Sequence, residues 1–225
     1  MRVRDLDWRA LESYLARDDR IVLPLGSTEQ HAYLSLETDN VLAERVAAEA
    51  AEPLGVPVLP ALCYGVTPRF AAYPGSPSLS EETYVAVVSE LVDSLRGQGF
   101  GRILVVNGHG GNAFAAEQVA RPGVRWHDWW RGPQVWALVQ ELDTGASHAS
   151  WMESFPWTRV AGVELPEGRK EPLAAGSLPG EPRAFREAAG DGCFGGRYRA
   201  SEEDEQRVWL TGVEETRALL DDPWG

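Results

Sequence analysis

The sequence predicts a three-layer α/β/α sandwich on a mostly parallel sheet, and three observations carry that prediction. Short apolar runs alternate with helical periodicity along the first half of the chain. Those runs lack the in–out alternation of a half-exposed sheet, and polar motifs follow directly on two of them. Strands covered on both faces read as continuous apolar runs, and strand–helix–strand order gives parallel pairing through right-handed crossovers. At 225 residues the chain can bury one sizeable core, so a single domain over 1–225 and one active site are expected.

In chain order, strands are expected at 20–26 (RIVLPLG), 56–62 (VPVLPAL) and 102–108 (RILVVNG), each apolar and closed by a turn signal. Helices are expected at 39–52 and 80–97. In the second, Val85, Val88, Leu91, Val92 and Leu95 recur at helical spacing, and Ser78 or Ser80 precedes two glutamates as a start signal. Beyond Val119 the chain reads as irregular and tryptophan-rich, and 162–200, rich in Gly, Pro and Glu, reads as loop. A last helix, 202–220, should pack back on the sheet through Val208, Leu210, Val213 and Leu219.

The net charge of −13 disfavours nucleic acid and anionic membrane as partners, because polyanions are repelled at long range. A small neutral or cationic molecule suits the chain better. Cys63 and Cys193 form no disulfide framework or C-x-x-C pattern, and 1–9 lacks the apolar core of a secretory signal, so a cytoplasmic location is expected.

Only four histidines are present, and three fall in segments crowded with carboxylates or glycines. Glu29 and His31, just past the first strand, are two apart and face the same way in extended chain. With Asp39 they offer the mixed oxygen and nitrogen donors that divalent cations take. Asp39 is also open to a plainer reading as a helix cap. After the third strand, 107–112 (NGHGGN) lets the backbone approach a ligand closely and leaves the His109 imidazole at the cleft. It lacks the spacing and lysine of nucleotide-binding loops. His148 and Glu153 are five apart and need not share a helix face.

Taken together, 23–32 (LPLGSTEQHA), Thr38-Asp39, 105–112 (VVNGHGGN) and 148–154 (HASWMES) resemble the signature segments of the creatininase family of amidohydrolases. The resemblance implies two divalent ions, Zn, Mn or Fe, with Glu29 and His31 on separate metals, Asp39 bridging them and His109 completing one side. It implies hydrolysis of a C–N amide bond in a small substrate by a hydroxide between the metals, proton handling by His148, and a homo-oligomer, often a hexamer. Three segments depart from the family pattern. The Gly-Pro-His-Leu-Pro-Leu-Gly run appears as 32–37 (AYLSLE), one residue shorter. Gly111 stands where creatininase has a ligating acid, so Glu153 is expected to replace it. In the HAGE-x-E-T run, Trp151 replaces an acid and is expected in the pocket wall, with Tyr33 and Gly110 also touching substrate. Trp126, Trp129, Trp130, Trp136 and Trp157 are expected in the core or at a subunit interface. The rival readings are a non-catalytic metal-binding scaffold and a two-metal phosphoesterase, which would want a basic residue such as Arg45, Arg69 or Arg102 near the site.

Overall fold

A computed structural model describes residues 1–173 and 178–224. Its centre is a three-stranded parallel sheet, β1 (Arg20–Leu25), β2 (Arg102–Asn107) and β3 (Val124–Asp128), in that order. The register runs from Arg20 opposite Arg102 to Leu25 opposite Asn107, and from Ile103 opposite Val124 to Asn107 opposite Asp128. All three strands therefore end at one rim.

Alternate residues of the sheet feed two separate cores, as the two-residue period of a strand requires. Val22, Leu104 and Val106 pack against α2 (Thr38–Ala51), α5 (Pro133–Leu142) and α7 (Glu202–Asp221). Ile21, Leu23, Leu25, Ile103 and Val105 face the other way, onto α1 (Trp8–Leu15), α3 (Glu81–Gly97) and the short α4 (Ala115–Gln118). The three layers are those expected from the unalternating apolar runs. Ser80, of the two serines proposed, caps α3 by accepting from the Thr83 amide. Among the described residues no helix is long and apolar enough to cross a membrane.

Several expected elements differ. The 56–62 run touches the sheet only through single parallel bridges, Val58 to Val22 and Leu62 to Leu25. Pro57 and Pro60 lack the amide hydrogens that a regular ladder needs. The third strand is instead 124–128 (VRWHD), an outer strand whose half-exposed, polar side chains hide it from an apolar-run search. The tryptophan-rich part also forms α5, whose first amides, at Gln134 and Val135, are satisfied by the Glu215 carboxylate from α7. The stretch read as loop contains α6 (Pro182–Ala189), capped by Glu181, and a two-stranded antiparallel ribbon, β4 (Arg169–Lys170) with β5 (Gly196–Arg197). Along α7, Val208 and Val213 are buried as expected and Leu219 packs at the edge of the core, but Leu210 is 48 % exposed.

Leu104→Ala, at a fully buried sheet position, should cost about 2–5 kcal/mol. Leu210→Ala should cost within about 0.5 kcal/mol. Equal shifts in the urea midpoints of the two variants would contradict this layering.

Candidate metal centre

The rim gathers donors because three backbones meet there at unusually short range. A side chain on Gly26 would run into Asn40, with its Cβ 2.1 Å from Asn40 Oδ1, and one on Gly108 would lie 2.4 Å from the Asp39 carbonyl oxygen. Both positions therefore need glycine. The first turn of α2 is thereby lowered between the ends of β1 and β2, and Asp39 is carried into the crevice. Asp39 is not the helix cap, since the cap position is Glu37 and the Asp39 carboxylate points to the histidines.

Asn107 and Asn112 lock the second loop. The Asn107 side chain accepts from the His109 amide and donates to the His109 carbonyl and to Asp128 Oδ1. Asn112 donates to the Gly26 carbonyl and to Asn107 Oδ1, and it accepts from the Val66 amide. The loop after β2 is thus tied to the end of β1 and to the 65–67 segment.

The four expected rim donors converge. Asp39 Oδ1 lies 3.0 Å from His31 Nε2, and Asp39 Oδ2 lies 3.0 Å from His109 Nδ1. Glu29 Oε1 is 3.3 Å from His109 Nδ1, and Glu153 Oε2 is 3.8 Å from His31 Nε2. Glu29, Asp39 and His109 form one set of donor atoms lying within 4.8 Å of one another; His31, Asp39 and Glu153 form a second, and Glu29, His31 and His148 a third. Asp39 belongs to the first two.

These contacts suit a cation and suit little else. The His31 Nδ1 edge faces the Glu29 carbonyl at 3.2 Å, and the His109 Nε2 edge faces the Val66 carbonyl at 3.0 Å. A carbonyl accepts, so each of those nitrogens carries the proton, and the other ring nitrogen turns a lone pair to the carboxylates. Both Glu29 oxygens, His31 Nε2 and Asp39 Oδ2 are buried without a hydrogen-bond partner. Buried charged groups left this way are costly unless a positive ion joins them.

Where protons are the only cations, the site titrates far from ordinary values. Burial opposes charge on His31, but Asp39, Glu153 and Glu29 push it up to about 10. His109 is also held well above the usual imidazole range against its burial, chiefly by Glu29 and Asp39. Burial favours the protonated form of Asp39, yet the two imidazoliums hold it below the usual carboxylate range. Glu153 is pushed up to about 7 by burial, with His31 opposing and Asp39 and Glu29 assisting. His148 is depressed well below its usual value, first by burial and then by the charges of His31 and His109, and so stays neutral.

The His148 ring is clamped. Phe70 stacks on it at 4.9 Å and 19°, Phe194 closes on it at 4.9 Å, and the His31 ring lies 4.5 Å away. Its Nδ1 is 3.8 Å from Glu29 Oε1; its Nε2 lies 3.1 Å from the Gln30 carbonyl oxygen, to which it donates in the tautomer that leaves Nδ1 free, and 2.9 Å from Gln30 Nε2. Glu153 sits on a short 3₁₀ turn, Trp151–Glu153, rather than an α-helix, and accepts from the Ala149 amide at 2.6 Å. This turn brings residues five apart to one cavity.

That cavity, about 560 Å³, is lined by Glu29, Asp39, His109, His148, Glu153 and Gly110. Trp151 does not line it. It is fully buried in the core under α7, because the 3₁₀ turn directs Glu153 to the cavity and Trp151 inward. Tyr33 is likewise off the cavity wall and packs edge-on against Tyr198. The aromatic wall comes from Trp130, Trp136, Phe70 and Phe194. Trp136 is 41 % exposed, so of its two expected places, core or subunit interface, the core is ruled out. The sequence signal for Trp130 was its place just past a strand end, hidden while 124–128 was read as irregular.

A sequence model of the creatininase family, described as creatinine amidohydrolase, matches residues 4–220. The chain belongs to the creatininase family. It is 31 % identical over 114 residues to a creatinine amidohydrolase of Pseudomonas putida, covering 48 % of this chain and 44 % of that protein. It is 35 % identical over 102 residues to a mycofactocin precursor peptide peptidase of Mycolicibacterium smegmatis, covering 42 % and 41 %. The chain thus matches less than half the length of these curated relatives. A crystal structure of creatininase superposes with a TM-score of 0.80 at 21 % identity, over 97 % of this chain and 96 % of that one. The superposition extends the family likeness in fold to almost the whole molecule. Similar folds include a manganese creatininase and a zinc–zinc creatininase variant.

Within the family frame, the glycine at 111 has a steric cause. A Cβ there would lie 2.1 Å from the Val66 carbonyl oxygen and 2.3 Å from His109 Nε2. No acid fits at that position, and Glu153 reaches the same donor cluster from the opposite loop. Gly111→Ala should displace His109 and weaken metal binding about 10–100-fold, the range for disturbing a ligand's support. Unchanged affinity in a competition titration with a chelator would contradict the steric account.

Proposed function

We propose that the chain is a metal-dependent amidohydrolase that cleaves the C–N bond of a small amide, cyclic amide or formamide with the help of two divalent cations, Zn, Mn or Fe. The observation that carries this reading is Asp39, whose two oxygens face two different imidazoles at 3.0 Å each. Glu29 and His109 would hold one cation and His31 and Glu153 the other, with Asp39 common to both. The zinc and manganese forms of similarly folded creatininases support the choice of metal. Such a pair supplies a hydroxide nucleophile at neutral pH and polarises the amide carbonyl.

The protein's own groups do the rest. His148, neutral and clamped beside Glu29, is placed to take the proton released by the nucleophile and hand it to the leaving nitrogen. Glu153, 3.8 Å from His31 Nε2, would serve as a ligand, and its second carboxylate oxygen is the other acceptor near the nucleophile.

Metal analysis and kinetics separate these roles. Treatment with EDTA should abolish amide hydrolysis, and Zn or Mn should restore it. Asp39→Asn should retain fewer than two equivalents of metal and lose activity. His148→Ala should keep both equivalents while turnover falls about 10²–10⁴-fold, the usual contribution of a positioned acid–base. Normal turnover by His148→Ala would remove the proton-transfer role. A substrate screen in which phosphoesters are cleaved and amides are not would overturn the amidohydrolase reading itself.

A further inference from the structure

The cavity that holds Glu29, Asp39 and Glu153 is also lined by two arginines. Arg69, on the 3₁₀ turn Pro68–Phe70, and Arg131, on the turn Trp129–Arg131, both line it. Both are exposed, and among the described residues neither forms a salt bridge. Other arginines near carboxylates are tied down: Arg20 and Arg102 to Asp18, Arg159 to Glu205, and Arg169 and Arg197 to Asp143. Arg69 rests over the Phe185 ring at 5.4 Å, which supports its stem and leaves the guanidinium edge unused. Beside it, Thr67 is 3 % exposed, lines the same cavity, and its hydroxyl oxygen has no hydrogen-bond partner.

A chain of net charge −13 repels anions at a distance. Two unpaired guanidiniums oppose that sign locally, within about 8–10 Å at physiological salt. Guanidinium groups bind carboxylates through two parallel hydrogen bonds, with geometric as well as electrostatic preference. Glu81, at the start of α3, is the one acid of the outer lining and restrains how many negative charges the mouth can take.

We propose that Arg69 and Arg131 form an anion subsite that selects amides bearing a carboxylate. The subsite rests on two arginines of one cavity that no carboxylate among the described residues engages; that the bound molecule is then hydrolysed rests on the two-metal reading above. Apolar groups of the same substrate lie against Phe70, Trp130 and Phe194.

Isothermal titration with N-acetylphenylalanine and N-acetylphenylalaninamide, which differ only in the carboxylate, tests the subsite. Both metal-loaded and EDTA-treated protein are used. The wild type should bind the acid at least tenfold more tightly than the amide in both forms, and the preference should shrink with added salt. Arg69→Ala/Arg131→Ala should bind the two ligands alike, and Arg69→Lys/Arg131→Lys should keep part of the preference. Equal binding by the wild type overturns the proposal. So does a preference that survives in the alanine pair or vanishes on EDTA treatment, since the carboxylate would then sit on the metals. Acid preference without hydrolysis of any amide would sink the amidohydrolase reading and leave the subsite standing. Hydrolysis without acid preference would do the reverse.

Discussion

One buried carboxylate, Asp39, sets the terms for everything at the rim of the sheet. It is 2 % exposed and lies between two imidazoles, with Glu29 and Glu153 adding more negative charge close by. An anion in a poorly hydrated place must be matched by positive charge, and among the described residues the groups within ion-pair reach of Asp39 are the His31 and His109 imidazoles. Histidines alone can do so only by holding protons far above their ordinary range. Divalent ions satisfy the same geometry with neutral imidazoles, whose outer nitrogens are already committed to the Glu29 and Val66 carbonyls.

Much of the fold was legible because the central strands are strongly apolar. In 20–25 and 102–107 every position after the first arginine is buried, and a run of that kind has few alternatives. The strand at 124–128 was not legible, because an outer strand needs only one apolar face and this one carries Arg125, His127 and Asp128. The opposite error at 56–62 has the opposite cause. That segment is apolar enough for a strand, but its prolines interrupt the ladder. Helix α5 escaped notice since its start is satisfied by Glu215, a residue some eighty positions later that no local signal could reveal.

At the site, the donors were readable from chemistry and spacing, and their supports were not. Glu29, His31, Asp39 and His109 converge as motif segments following strand ends should. The capping reading of Asp39 could be resolved only by seeing Glu37 take the cap position. Trp151 faces the core because the 3₁₀ turn that aims Glu153 at the cavity directs Trp151 inward. The mouth, with Trp130, Arg131 and Arg69, depends on where β3 ends, so it became visible only with that strand. Gly111 illustrates a constraint with no sequence signature at all, since the atoms that forbid a side chain belong to Val66 and His109.

Two residues next to the metal-facing loops adopt an uncommon backbone state. Ala32 and Ala149 have φ of 49° and 60°, in the left-handed region where a Cβ costs roughly 1–2 kcal/mol. Each follows a histidine of the site directly, and each amide is used, Ala32 by Gln30 and Ala149 by Glu153. The creatininase pattern has glycine at the first of these positions, which would relax that turn. Alanine instead narrows the conformations open to the unfolded loop while leaving the folded one under tension. The surrounding packing must therefore hold both loops against that tension, so loosening of either core would be felt at these two turns, where the backbone has the most to gain by relaxing.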